Sequence, residues 1–123
     1  YQKYFRKMHQ LFPKCKKMLM AVRNQITSSH HTLSGLLYDA VEDQLYTTRI
    51  YDIEPIVDPM GVGDAFIAAY IHAHQKWGDK NQYCLDFSLS ASAIKNTVPG
   101  DQNLVTEEEI INNMTSSGGR IQR

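Results

Sequence analysis

The stretch Asp58-Pro59-Met60-Gly61-Val62-Gly63-Asp64-Ala65-Phe66 decides how this chain is read. Two glycines flank Val62, Asp64 follows at once, and an apolar, helix-compatible run continues through Ile71. Glycine lets a backbone bend tightly and lets another group come close to it. The first turn of a helix presents N–H groups with no intrahelical partner, at the positive end of the dipole. A glycine turn feeding a helix is therefore a ready anion site, most often for phosphate. Asp64 at its mouth has two readings: a helix cap, which aspartate makes well, or a carboxylate with a chemical task. The pattern is not a Walker loop, because no Lys-Ser/Thr follows the second glycine, and it is not the longer dinucleotide fingerprint.

Upstream, Tyr4, Phe5, Met8, Leu11 and Phe12 recur at helical spacing, and Pro13 stops that helix. Met18 to Val22 reads as a short buried strand, ended by Arg23, and Arg23 to His31 reads as a polar loop. Leu33 to Tyr38 and Gln44 to Ile53 read as two strands of a hairpin around a polar turn, Asp39 to Asp43. Downstream, one helix is expected from Asp64 to Trp77 with Gly78 as its stop. The next runs from Gln82 to Asn96, before Pro99-Gly100. Its small and apolar residues lie nearly all round, which predicts burial on several faces. Thr106-Glu107-Glu108-Glu109 is a capping box opening a last helix through Met114. Residues 115–123 are polar and glycine-rich and read as a flexible tail to a unit spanning 1–114. So few strands beside four helices predict part of a larger parallel sheet in an α/β fold.

The 123 residues make one domain or part of one, and 42% of them are hydrophobic, enough for a core. Thirteen basic residues balance thirteen acidic ones, which gives no sign of a nucleic-acid or membrane partner. No apolar run is long enough to span a bilayer. Cys15 and Cys84 lack metal spacing and read as reduced thiols of a cytoplasmic protein. The histidines His30, His31, His72 and His74 read as surface residues, with no acidic or cysteine cluster to recruit them to a metal. The chain begins at Tyr1 in a helical pattern, which reads as a piece of a longer protein.

Asp58-x-x-Gly61-x-Gly63-Asp64-Ala65-Phe66 resembles the C-terminal signature of ribokinase-like (PfkB) carbohydrate kinases. A second similarity follows downstream in Lys95-Asn96-Thr97-Val98-Pro99-Gly100-Asp101-Gln102-Asn103-Leu104-Val105-Thr106. This longer form, with Phe12 to Arg23, Ser28-Ser29-His30 and Leu33-Ser34-Gly35, is similar to the 2-keto-3-deoxygluconate kinase branch. The resemblance implies the C-terminal part of a ribokinase-like three-layer α/β/α fold and an ATP-dependent sugar kinase. It implies that Asp64 is the general base, that Gly61, Val62 and Gly63 form an anion hole, and that the loop after the Arg23 strand meets the nucleotide phosphates. An arginine simply solvated at a strand end is the alternative for Arg23. ATP and Mg²⁺ are the implied cofactors and a sugar acid the implied acceptor. The missing N-terminal half of the same protein would complete the sugar site, and a homodimer of the full-length enzyme is compatible with it. A different acceptor, such as fructose or a nucleoside, and a non-catalytic nucleotide-binding relative are the alternatives. Pro59, Met60, Val62 and Ala69 depart from the usual pattern. Pro59 cannot donate from its backbone, and Val62, being β-branched, tolerates positive φ poorly.

Overall fold

A computed structural model describes residues 1–100, 105–115 and 120–121 of the chain. The elements run α1 (Gln2–Leu11), β1 (Lys17–Thr27), β2 (His30–Asp39), β3 (Gln44–Thr47), β4 (Tyr51–Ile53), α2 (Val62–Trp77), α3 (Asn81–Lys95), α4 (Glu107–Thr115) and β5 (Arg120–Ile121). Asp101 to Leu104, in the second motif, lie outside the described residues, as do 116–119 and 122–123 of the tail.

β2 is the hub of the sheet. It pairs antiparallel with β1 from Lys17↔Asp39 to Thr27↔His30, with a register shift between Gln25 and Thr27. Its other edge takes β3 at Leu36 to Asp39 and β4 at His31 to Leu33. β5 adds to β4 in parallel, opposite Asp52 and Ile53. Antiparallel pairing thus dominates where a parallel sheet is expected, because the strands are joined by tight turns and not by crossover helices.

Three strand expectations change. β1 does not stop at Arg23 but continues to Thr27, since backbone pairing with β2 holds its polar half in the ladder. Most of β1 beyond Met18 is only partly buried or exposed, so it is an edge strand and not a buried one. The predicted strand from Gln44 to Ile53 breaks at Thr48 to Ile50, where the Thr48 side chain bonds the Gly35 N–H and the Arg49 carbonyl. His30 and His31, expected in a loop, begin β2, and His31 is buried. Three residues placed in the tail by the sequence have regular structure. Thr115 closes α4 by donating to the carbonyls of Ile111 and Asn112, and Arg120–Ile121 pairs with β4.

Alternation along β2 builds three layers. Leu33 and Leu37 join Tyr51, Ile53 and Phe66 against Leu85, Leu89 and Ala93 of α3. Leu36 and Tyr38 point the other way, with Met18 and Phe5 of α1. The rings of Phe5 and Tyr38 stack at 5.7 Å between centroids. Gly35 lets α3 approach, since a Cβ there would lie 3.3 Å from Leu89 Cδ1 and 3.4 Å from Leu85 Cδ1. The far side of α3 packs on α2 and α4 through Cys84, Phe87, Ala91, Ile94, Ala73 and Ile110. α3 is therefore buried all round, as its composition predicts.

Candidate active site

The glycine turn forms as a left-handed residue followed directly by a helix. Gly61 is the N-cap of α2 at φ 81°, a conformation open to glycine at no steric cost. Val62 is already the first helical residue, and among the described non-glycine residues only Asp43 has positive φ. The β-branch at Val62 is thus accommodated, because the strained angle falls on its neighbour. Gly63 and Asp64 are the second and third residues of the helix.

The donors divide unequally. The Val62 N–H is directed at the Pro59 carbonyl at 3.3 Å, and the Ala65 N–H is bonded to the Gly61 carbonyl at 2.9 Å. The N–H groups of Gly63 and Asp64 have no acceptor among the described residues. A Cβ built on Gly63 would meet no atom within 4 Å, so the space above this turn is open. Asp64 is exposed and makes no side-chain bond to the helix start. The cap reading of Asp64 therefore gives way, since Gly61 occupies the cap and Asp64 stands three residues past it. What remains is a free carboxylate beside two free N–H donors.

Asp58 does the opposite. Its Oδ1 accepts the Met60 N–H at 3.0 Å and its Oδ2 the Gly100 N–H at 2.9 Å. These two bonds, helped by the nearby Lys95 cation, hold its carboxyl below the usual value. The Asn96 carbonyl receives the N–H groups of Val57 and Asp58 at 2.8 and 3.1 Å. Lys95 Nζ donates to the carbonyls of Val98 at 2.8 Å and Asp58 at 3.3 Å. Ser92 Oγ donates to the Val62 carbonyl at 3.1 Å, anchoring the start of α2 to α3. The two sequence motifs, separate along the chain, thus meet as one assembly.

Arg23 is not tied to it. It lies mid-strand in β1, exposed, opposite Leu33, and makes no hydrogen bond or ion pair among the described residues. The hydroxyls of Ser88, Ser90 and Ser92 are spent on carbonyls of Cys84, Ile110 and Val62, so these three serines serve helix packing. His30 sits between Asp52 and Glu54, its Nδ1 3.4 Å from Glu54 Oε2. Both ring nitrogens of buried His31 lack hydrogen-bond partners among the described residues, and burial, reinforced by Arg23 and His30, pushes its pKa down. Lys95 and Asn96 were missed as site-building residues. Their mark in the sequence is a lysine and an asparagine ending a helix of mostly small and apolar residues. Among the described residues no three His, Cys, Asp or Glu side chains converge as a metal-binding group, and no helix is long and apolar enough to cross a membrane.

No family model matches the sequence, and no curated protein matches it. Solved structures do. A PfkB family carbohydrate kinase from Listeria grayi is 29% identical, with a TM-score of 0.87, over 94% of this chain and 35% of that one. A 2-dehydro-3-deoxygluconokinase from Thermotoga maritima is 27% identical, with a TM-score of 0.87, over 94% of this chain and 34% of that one. A third chain, from Enterococcus faecalis, is 17% identical, with a TM-score of 0.76 over 99% of this chain and 35% of that one, and speaks for the fold alone. In fold and in sequence the chain is thus similar to the PfkB carbohydrate kinases, and it spans about a third of the length of the relatives it matches.

Proposed function

We propose that this chain is the nucleotide-side part of an ATP-dependent sugar kinase that phosphorylates the 6-hydroxyl of 2-keto-3-deoxygluconate. One observation carries the reading. Among the described residues Asp64 stands exposed and unpartnered beside the free N–H groups of Gly63 and Asp64, at the positive end of α2. Phosphoryl transfer passes through a loose transition state with charge on the equatorial oxygens, so positioning and fixed donors supply most of the catalysis. The Gly61 to Asp64 turn provides such donors, and the carboxylate of Asp64 takes the acceptor proton. Arg23, an exposed cation on β1 without a partner among the described residues, meets the nucleotide phosphates. A groove beginning at Ala65, and lined by Ala69, Phe87, Ala91 and Ile110, receives the adenine ring. When bound, Mg²⁺ would neutralise phosphate charge, riding on the nucleotide and not in a dedicated protein cage. The setting is cytoplasmic, in keeping with the free thiols Cys15 and Cys84.

The test is the full-length protein with ATP, Mg²⁺ and 2-keto-3-deoxygluconate, in wild-type and Asp64→Asn forms. The expected loss in kcat is about 10²–10⁴-fold, the usual worth of a positioned base. An unchanged rate removes Asp64 from the role, and turnover of fructose or a nucleoside instead reassigns the acceptor. This chain by itself is expected to turn over no sugar; any turnover would contradict that.

A further inference from the structure

The last residue of α3, Lys95, is fully buried. A cation taken out of water is costly unless its partners compensate, and an apolar side chain of similar length would fill the same space without that cost. The charge at this position therefore has to be explained by what it holds. Lys95 Nζ reaches one carbonyl in each of two turns: Asp58, leading into the glycine turn, and Val98, after α3. The same gap is crossed by the Gly100 N–H on Asp58 Oδ2 and by the Val57 and Asp58 N–H groups on the Asn96 carbonyl. The cation also lies close enough to the Asp58 carboxylate to help hold its pKa down.

We propose that Lys95 is a positioning residue, a built-in cation that ties the Asp58 to Gly61 turn to the Thr97 to Gly100 turn and so aims the free N–H groups of Gly63 and Asp64. It acts through Asp58 and touches neither substrate nor nucleotide. The functional half of this inference rests on the glycine turn being a phosphate site.

The full-length protein is compared with Lys95→Met, which keeps the stem and removes the charge, and with Asp58→Asn, which keeps the shape and removes the opposite charge. Hydrogen exchange is read at the amides of Met60 and Gly100, with those of Leu36 and Leu37 as core controls. ADP binding is read by calorimetry, and KM for ATP is read apart from KM for the acceptor. Charge-assisted bonds of this kind predict exchange at Met60 and Gly100 faster by about tenfold to a hundredfold. ADP affinity weakens and KM for ATP rises by a similar factor, while acceptor KM and core exchange hold. Unchanged exchange at both amides in either variant overturns the proposal, as does exchange that quickens equally in the core. A wild-type protein that binds no ADP overturns the phosphate reading, and the exchange result still decides whether Lys95 ties the turns.

Discussion

Asp58 and Asp64 bracket the same glycine turn, yet their carboxylates are handled in opposite ways. Asp58 spends both oxygens on backbone N–H groups and is held ionised by them. Asp64 spends neither oxygen on any group among the described residues. A third aspartate has a purely structural task. Asp43, at φ 53°, receives both Arg6 Nε and Nη2, at 2.8 and 2.9 Å, and the Tyr38 hydroxyl. The Arg6 bonds first, then Tyr38, bring its pKa from 3.8 to about 2. A carboxyl lowered on folding stabilises above its unfolded value and loses that contribution as pH falls through the folded one. Between pH 3.8 and about 2 the tie from α1 to the β2–β3 turn should therefore weaken. Thermal melts across that window should show a steeper loss for the wild type than for Asp43→Asn; parallel curves would sink the assignment.

At the scale of elements, α2 carries three glycines with three different reasons. Gly61 supplies positive φ, so Gly61→Ala should cost about 1–2 kcal/mol. Gly78 closes the helix at φ −57°, not in the left-handed cap its position predicts. There the constraint is space, because an added Cβ would lie 2.6 Å from the His74 carbonyl oxygen. Gly78→Ala should lower the urea midpoint. Gly63 has neither reason: its φ is not positive and its Cβ would meet nothing. Gly63→Ala should raise stability by about 0.5–1 kcal/mol while turnover of the full-length enzyme falls, opposite signs that mark a glycine kept for ligand approach. Equal turnover would show that it is not. α4 starts as its capping box predicts, with the Glu109 N–H on Thr106 Oγ1 at 3.2 Å. Its first turn is fastened to α2 by Lys76 and His72 on Glu107.

Across the whole molecule, α3 is the member on which everything leans. Leu89 packs against the sheet cluster, so Leu89→Ala should destabilise by about 2–5 kcal/mol. Ile71→Ala, on the exposed outer face of α2, should stay within about 0.5 kcal/mol. Comparable midpoints in chemical denaturation would contradict this division. The helices, the burial of α3 and the glycine–aspartate turn were legible because they rest on local rules: periodicity, turn residues, and the first-turn donors of a helix. Arg23 to His31 was not, because a polar edge strand is made by its partner β2 and leaves no hydrophobic pattern of its own. Nor was the break at Thr48, set by a side chain reaching back to Gly35. From residue order alone came the α/β class, the likeness to sugar kinases, and Asp64 as the residue to watch. Only the tertiary structure decided that Gly61 and not Val62 bears the strained angle, that Val62 spends its N–H on Pro59, and that Lys95, Asn96 and Asp58 join two distant turns. The first two are set by the backbone of the turn itself, which residue types alone leave open; the last depends on groups 37 and 42 residues apart meeting across the fold, which no local pattern in a chain encodes.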